Sequence, residues 1–91
     1  MQFDWDKANE RYILRHGIAR PEVEQALTDS LAELVGSEEV DGELRYSQIG
    51  ATIRGRLLVV AFTIRENRVR PITAFDADRY TARLYREGYR S

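Results

Sequence analysis

The residues best equipped for chemistry are arginines. Arg54, Arg56, Arg65, Arg68 and Arg70 crowd a single stretch. Arg79, Arg83, Arg86 and Arg90 follow at steps of four, three and four, which places them on one face of a helix. Thirteen of the fourteen basic residues are arginine, the side chain suited to bidentate contact with phosphate or carboxylate. Tyr46, Tyr80, Tyr85 and Tyr89 are interleaved with them. A basic surface with aromatics is the composition that contacts a phosphate backbone and stacks bases. A second reading puts the tyrosines in the core and pairs the arginines with the chain's own acids. Spacing alone does not choose between the two.

Other chemistries lack their parts. There is no cysteine, so disulfides, thiolate metal sites and a cysteine nucleophile drop out. With one histidine, a converging set of metal ligands is not expected, and Asp76 and Asp78 are better explained as helix caps. Ser30, Ser37, Ser47 and Ser91 sit in no nucleophile-elbow context, and the six glycines are scattered at turns rather than gathered in a phosphate loop. No cofactor is expected. No segment reaches the length of a membrane span and the N-terminus has no signal-peptide character, so the cytoplasm is the default compartment.

The net charge of −1 hides an asymmetry. Residues 1–44 carry four basic against eleven acidic groups, a balance of −7, whereas residues 45–91 carry ten arginines against four acids, a balance of +6. Such a chain can present one cationic face to an anionic partner and stay soluble.

The elements that must position these groups follow from hydrophobic periodicity. Leu57 to Ile64 is the one long apolar run, rich in β-branched and aromatic residues. With Val69 to Ala74 it predicts a central hairpin turning at Arg65-Glu66-Asn67-Arg68, with Asn67 at positive φ. Pro71 cannot donate to a ladder, so its strand is an edge or pairs outward there. Ahead of the hairpin, Gln2 to Trp5 reads as a short strand. A first helix capped by Asp4 or Asp6 runs to about His16, with Trp5, Ala8, Tyr12 and His16 on one face beside Ile13, and Gly17 as a left-handed cap. A second helix opens with Pro21 at its first position and carries Val23, Ala26, Leu27 and Leu31 as its stripe, ending between Thr28 and Ser30. Leu31 to Gly36 reads as an edge strand, residues 37–43 as an acidic loop, and Leu44 to Gly50 as a half-exposed strand. Asp76 is expected to cap the last helix, with Ala77, Tyr80 and Leu84 inward and Gly88 at its end. The whole is a single α+β domain over residues 1–91, with two N-terminal helices, a mainly antiparallel sheet and a C-terminal helix.

The order of motifs resembles the BrnT family of type II toxins. FDWDKAN (3–9), RHGI (15–18), PEVEQAL (21–27), RYSQIG (45–50), GRLLVVAFTIR (55–65) and RVRPITA (68–74) carry the resemblance over nearly the whole chain. It implies a RelE-like fold and a toxin that cleaves RNA without a metal, inhibiting translation and growth. It also implies a DNA-binding antitoxin from the same operon that neutralises the toxin in a hetero-oligomer. In such cleavage the ribose 2′-hydroxyl attacks the adjacent phosphate, leaving a cyclic phosphate and a free 5′-hydroxyl. The protein must hold the backbone for in-line attack, stabilise the charge that develops and manage two protons.

The inventory supplies candidates for each task. His16 is the only side chain of a type that titrates near neutrality, which makes it the acid/base candidate; its structural alternative is a helix-end residue favoured by the dipole. Arg56 and Arg70 match family positions and join His16 as catalytic candidates. Arg65, Arg79, Arg83 and Tyr80 are the candidate substrate-binding residues. Three positions depart from the family pattern: Phe75 stands where relatives carry Arg, Thr81 where they carry Glu, and Tyr12 where they often carry Asn or His. Those departures keep open an alternative, a catalytically weak or inactive relative that binds an antitoxin or another protein.

Overall fold

A computed structural model describes residues 1–88; the expectations for Tyr89 and Arg90 fall outside the described residues. Helices α1 (Lys7–Leu14) and α2 (Arg20–Thr28) precede strands β1 (Glu33–Val40), β2 (Glu43–Ala51), β3 (Leu57–Arg65) and β4 (Arg68–Asp76), and helix α3 (Arg79–Glu87) follows. The strands form one sheet in the order β1-β2-β3-β4, antiparallel throughout. The α+β architecture expected from the sequence is the one observed.

Two tight turns set the sheet's register. Glu66 and Asn67 both take positive φ (51° and 63°), as do Asp41 and Gly42 (52° and 80°). Positive φ at both central residues gives a hairpin turn whose twist matches that of the flanking strands. The second of these turns corrects the expectation of an acidic loop at 37–43. Strand β1 runs on to Val40, and Glu38 lies opposite Arg45. Glu38 and Glu39 sit on an exposed edge strand, where charge is tolerated and discourages further pairing.

The helical boundaries also shift. Asp6 caps α1 through a reciprocal box: its carboxylate accepts from Asn9 N–H at 3.0 Å, and Asn9 Oδ1 accepts from Asp6 N–H at 2.8 Å. The helix ends at Leu14, so His16 lies in the turn that follows. Its buried positions are Asn9 and Ile13, whereas Tyr12 and His16 are exposed, a face rotated from the one expected. The reason is Asn9, which donates to the carbonyls of Asp4 (3.0 Å) and Pro71 (2.9 Å) and so turns a polar residue toward the sheet edge. In α2, Arg20 is the first residue and Pro21 the second, and Leu31 lies beyond the helix, exposed. The expected N-terminal strand is a single parallel bridge from Phe3 to Val69. Asp78 rather than Asp76 caps α3, accepting from Thr81 N–H at 2.7 Å. Tyr80, expected inward, is 70% exposed; Ala82 is the buried residue of that helix.

The core lies between α1, α2 and one face of the sheet, where Ile13, Ile18, Val23, Ala26 and Leu27 meet Leu58, Val60, Phe62 and Ala74. Gly50 lets α2 approach: a β-carbon there would stand 1.9 Å from the Ala26 carbonyl oxygen. Strand alternation places Ile49 and Val59 on the opposite face, the buried pair on the side toward which α3 folds from Ala77, whose N–H donates to Leu57 O at 3.0 Å. Tyr85 of α3 donates its hydroxyl to Asp29, and Asp29 also accepts from Ala51 N–H. Tyr46 is likewise structural, stacked on Phe62 with centroids 5.5 Å apart. Two of the interleaved tyrosines therefore serve packing.

Candidate functional site

Cross-strand partners share a face of a sheet, so register decides which arginines can meet. Arg70 lies opposite Thr63 on β3, and Thr63 lies one step beyond the Tyr46–Phe62 pair, beside Arg45 on β2. Arg45, Thr63 and Arg70 thus form a lateral row. Glu43 and Arg65 form the next row along. These side chains project beside α1, where Ala8, Asn9 and Tyr12 complete the wall. The result is an open concavity of about 500 Å³ lined by Ala8, Asn9, Tyr12, Arg45, Arg65, Arg70, Pro71, Ile72 and Thr73.

Each cation in it has a different environment. Arg65 grips Glu43 side-on (Nε–Oε2 2.7 Å, Nη2–Oε1 3.0 Å), which holds the Glu43 carboxyl below its ordinary range. Arg70, only 16% exposed, reaches Asp6 at 2.9 Å and Asp4 at 3.6 Å. The Asp6 carboxyl is lowered first by the Asn9 backbone N–H and then by Arg70, against a burial effect that raises it. Arg45 has a buried Nε with no hydrogen-bond partner among the described residues. Leaving a buried donor unsatisfied costs roughly 1–3 kcal/mol, more for a charged group. The sequence singled out Arg65 and Arg70 but not Arg45. Its signal was the alternation of RYSQIG, which puts Arg45 on the face away from Tyr46.

Arg56 is elsewhere. It stands before the first residue of β3, and Arg65 is the last of that strand's nine residues. At 3.3 Å per residue the two are about 30 Å apart. Arg56 is a hub: it holds Asp76 bidentately (2.7 and 3.1 Å), and its Nη1 donates to Glu22 Oε2 (3.1 Å) and the Gly17 carbonyl (3.0 Å). The hydrogen bond from Arg56 lowers the Asp76 carboxyl. The Glu22 carboxyl is lowered chiefly by the Ala19 backbone N–H it accepts from, then by Arg56, while burial opposes both. The Arg56 guanidinium is correspondingly more basic than usual.

His16 does not line the concavity. Gly17, its neighbour in the chain, is tied to Arg56. The His16 ring lies 5.1 Å from that of Tyr12, which lines the concavity. His16 Nδ1 is 2.9 Å from the Tyr12 carbonyl oxygen. A carbonyl only accepts, so Nδ1 is the donor in this contact and Nε2 is the ring nitrogen left over. Arg79, Tyr80 and Arg83 are exposed on α3 and do not line the concavity; Arg83 reaches Glu87 at 3.9 Å. No group of three or more His, Cys, Asp or Glu able to hold a metal ion occurs among the described residues. No helix there is long and apolar enough to cross a membrane.

A family model described as "Ribonuclease toxin, BrnT, of type II toxin-antitoxin system" matches residues 5–80. No curated protein matches the chain. The matched span holds α1, α2, all four strands and the first residues of α3, and therefore every lining residue of the concavity.

Proposed function

The chain belongs to the BrnT family of ribonuclease toxins of type II toxin–antitoxin systems, and from that premise we propose that it cleaves RNA without a metal, at the concavity between α1 and β4. The family carries with it a cognate antitoxin. We assign that partner the DNA-binding role in a hetero-oligomer encoded by one operon, and the toxin a growth-arresting action on translation in the cytoplasm.

One observation carries the reading: Arg45, Arg65, Arg70 and Tyr12 converge on one open surface, and His16, which does not line it, packs its ring 5.1 Å from that of Tyr12. Arg65 and Arg70 bind the phosphate and orient it for attack by the 2′-hydroxyl, and their charge stabilises the dianionic transition state. His16 Nε2 takes the hydroxyl proton as general base, with Nδ1 held on the Tyr12 carbonyl, and the departing 5′-oxygen takes up a proton from water at this open surface. Arg56 has its guanidinium committed to Glu22, Asp76 and Gly17, and it serves by holding the turn that carries His16. Arg79, Arg83 and Tyr80 extend the contact to RNA flanking the cleaved bond.

The test is inducible expression in a bacterium, following growth and total RNA, of the native chain and of Arg65→Ala, Arg70→Ala and the double variant. Arrest with RNA loss is expected from the native chain, and relief in the double variant with its fold intact. Undiminished toxicity in the double variant sinks the site. A second reading, a weak or inactive relative that acts by binding protein, is favoured by the carboxylate partners already on Arg56, Arg65 and Arg70. On that reading expression of the native chain is harmless.

A further inference from the structure

We propose that Arg45 joins Arg65 and Arg70 in binding the RNA phosphate in this concavity and meets it first, through a guanidinium that makes no described hydrogen bond of its own. The inference rests on the ribonuclease reading and adds to it which cation the substrate meets first. Of the three arginines on this surface, Arg65 is answered by Glu43 and Arg70 by Asp6 and Asp4. Arg45 makes no described hydrogen bond or ion pair: Glu38 lies opposite it on β1 and its charge helps to lower the Glu43 carboxyl, but neither acid is joined to it, and its Nε is buried without a hydrogen-bond partner. Glu43, two residues away on the same face, has both oxygens engaged by Arg65.

The position is rigid. Arg45 springs from β2, which is paired with β1 on one side and β3 on the other. Thr63, 1% exposed, supports it and is itself fixed by donating its hydroxyl to Leu44 O at 2.7 Å. An oxyanion entering the concavity finds Arg45 and Arg70 on strands flanking β3, about 10 Å apart at the backbone by the strand spacing. Arginine's fork suits two oxygens of one phosphate. Tyr12, 46% exposed on the rim, offers a ring on which an unpaired base can stack. The chemistry fits a single-stranded RNA phosphodiester.

The test compares the native chain with Arg45→Met, which keeps length and loses charge, and Arg45→Lys, which keeps charge and loses the fork. The probe is a fluorescent single-stranded RNA with every ribose 2′-O-methylated, so that it binds and cannot be cut. Affinity is measured over a NaCl series, and thermal midpoints are taken in parallel. Arg45→Met is expected to bind about tenfold more weakly, and to flatten the slope of log K against log salt by about 0.7, one phosphate contact on a single strand. Its midpoint is expected to be equal or higher, because an unsatisfied donor has gone. Arg45→Lys is expected to recover the slope and only part of the affinity. An unchanged slope in Arg45→Met, or a loss of folding in both variants, overturns the assignment and makes Arg45 structural. No salt-dependent binding by the native chain strikes the ribonuclease reading itself, and this inference with it.

Discussion

Arg70 and Thr73 face the same side of the sheet although they are three residues apart, because their partners on β3, Thr63 and Ala61, are two apart. The register shift between Ala61 and Phe62 inserts one extra residue into β4 there. Side chains alternate with a period of two, so an inserted residue reverses the facing of everything beyond it. The bulge is what turns Pro71 into the core and Arg70 out into the concavity.

Deleting Ile72 is therefore expected to remove the bulge without reversing Arg70, because Thr73, Pro71 and Arg70 then follow one another in plain alternation opposite Ala61, Phe62 and Thr63. Circular dichroism melting of the deletion variant should show a cooperative, native-like transition. A collapsed or absent transition would show that the bulge itself is needed to hold β4 in place.

Phe75 lies opposite Val59, on the same face as Thr73 and one alternation further from Arg70. It is 48% exposed, so a longer charged side chain has room. Phe75→Arg is expected to bring a fourth guanidinium to the edge of the concavity and to raise the rate of RNA loss on induction by about tenfold, the worth of one charge-assisted contact. Equal rates for the two chains place position 75 outside the site.

Gly50→Ala tests the helix–sheet approach. The added methyl meets the Ala26 backbone, which cannot rotate away as a side chain would. Overpacking of this kind costs about 1–3 kcal/mol and occasionally more. The upper end is expected, read as a lower urea midpoint with an unchanged m-value. A stability equal to the native chain's would show that α2 can shift freely.

The Arg56 hub predicts a pH signature. Asp76 and Glu22 have folded pKa values below their ordinary ones. Depressed carboxyl values add stability above the unfolded pKa, near 4, and that stability is lost as pH falls through the folded value. Arg56→Gln should therefore lose about 1–2 kcal/mol at pH 7, a modest figure because the Asp76 side chain is 63% exposed. The gap to the native chain should close as urea melts are taken below about pH 4. A gap that stays constant to pH 2 would show that the ion pairs contribute nothing.

Much of this was legible in the chain itself. The apolar run Leu57 to Ile64, the Glu66-Asn67 turn, Gly17 at positive φ, Gly88 as a helix end, and the separation of acidic from basic halves are local patterns, and local patterns specify local geometry. The ordered motifs from FDWDKAN to RVRPITA sufficed for the family. Three things needed the folded molecule. Asp76 and Asp78 look alike as caps, and only the arrival of Arg56 from across the sheet claims Asp76. The face of α1 turned on Asn9, whose partner at Pro71 is 62 residues away in the chain. Which arginines converge depends on strand register and one inserted residue, so Arg56 and Arg70, equivalent as sequence signals, end up at opposite ends of β3. Periodicity reports the direction of each side chain relative to its own strand or helix; a site is made of distances between elements, and those are set by packing.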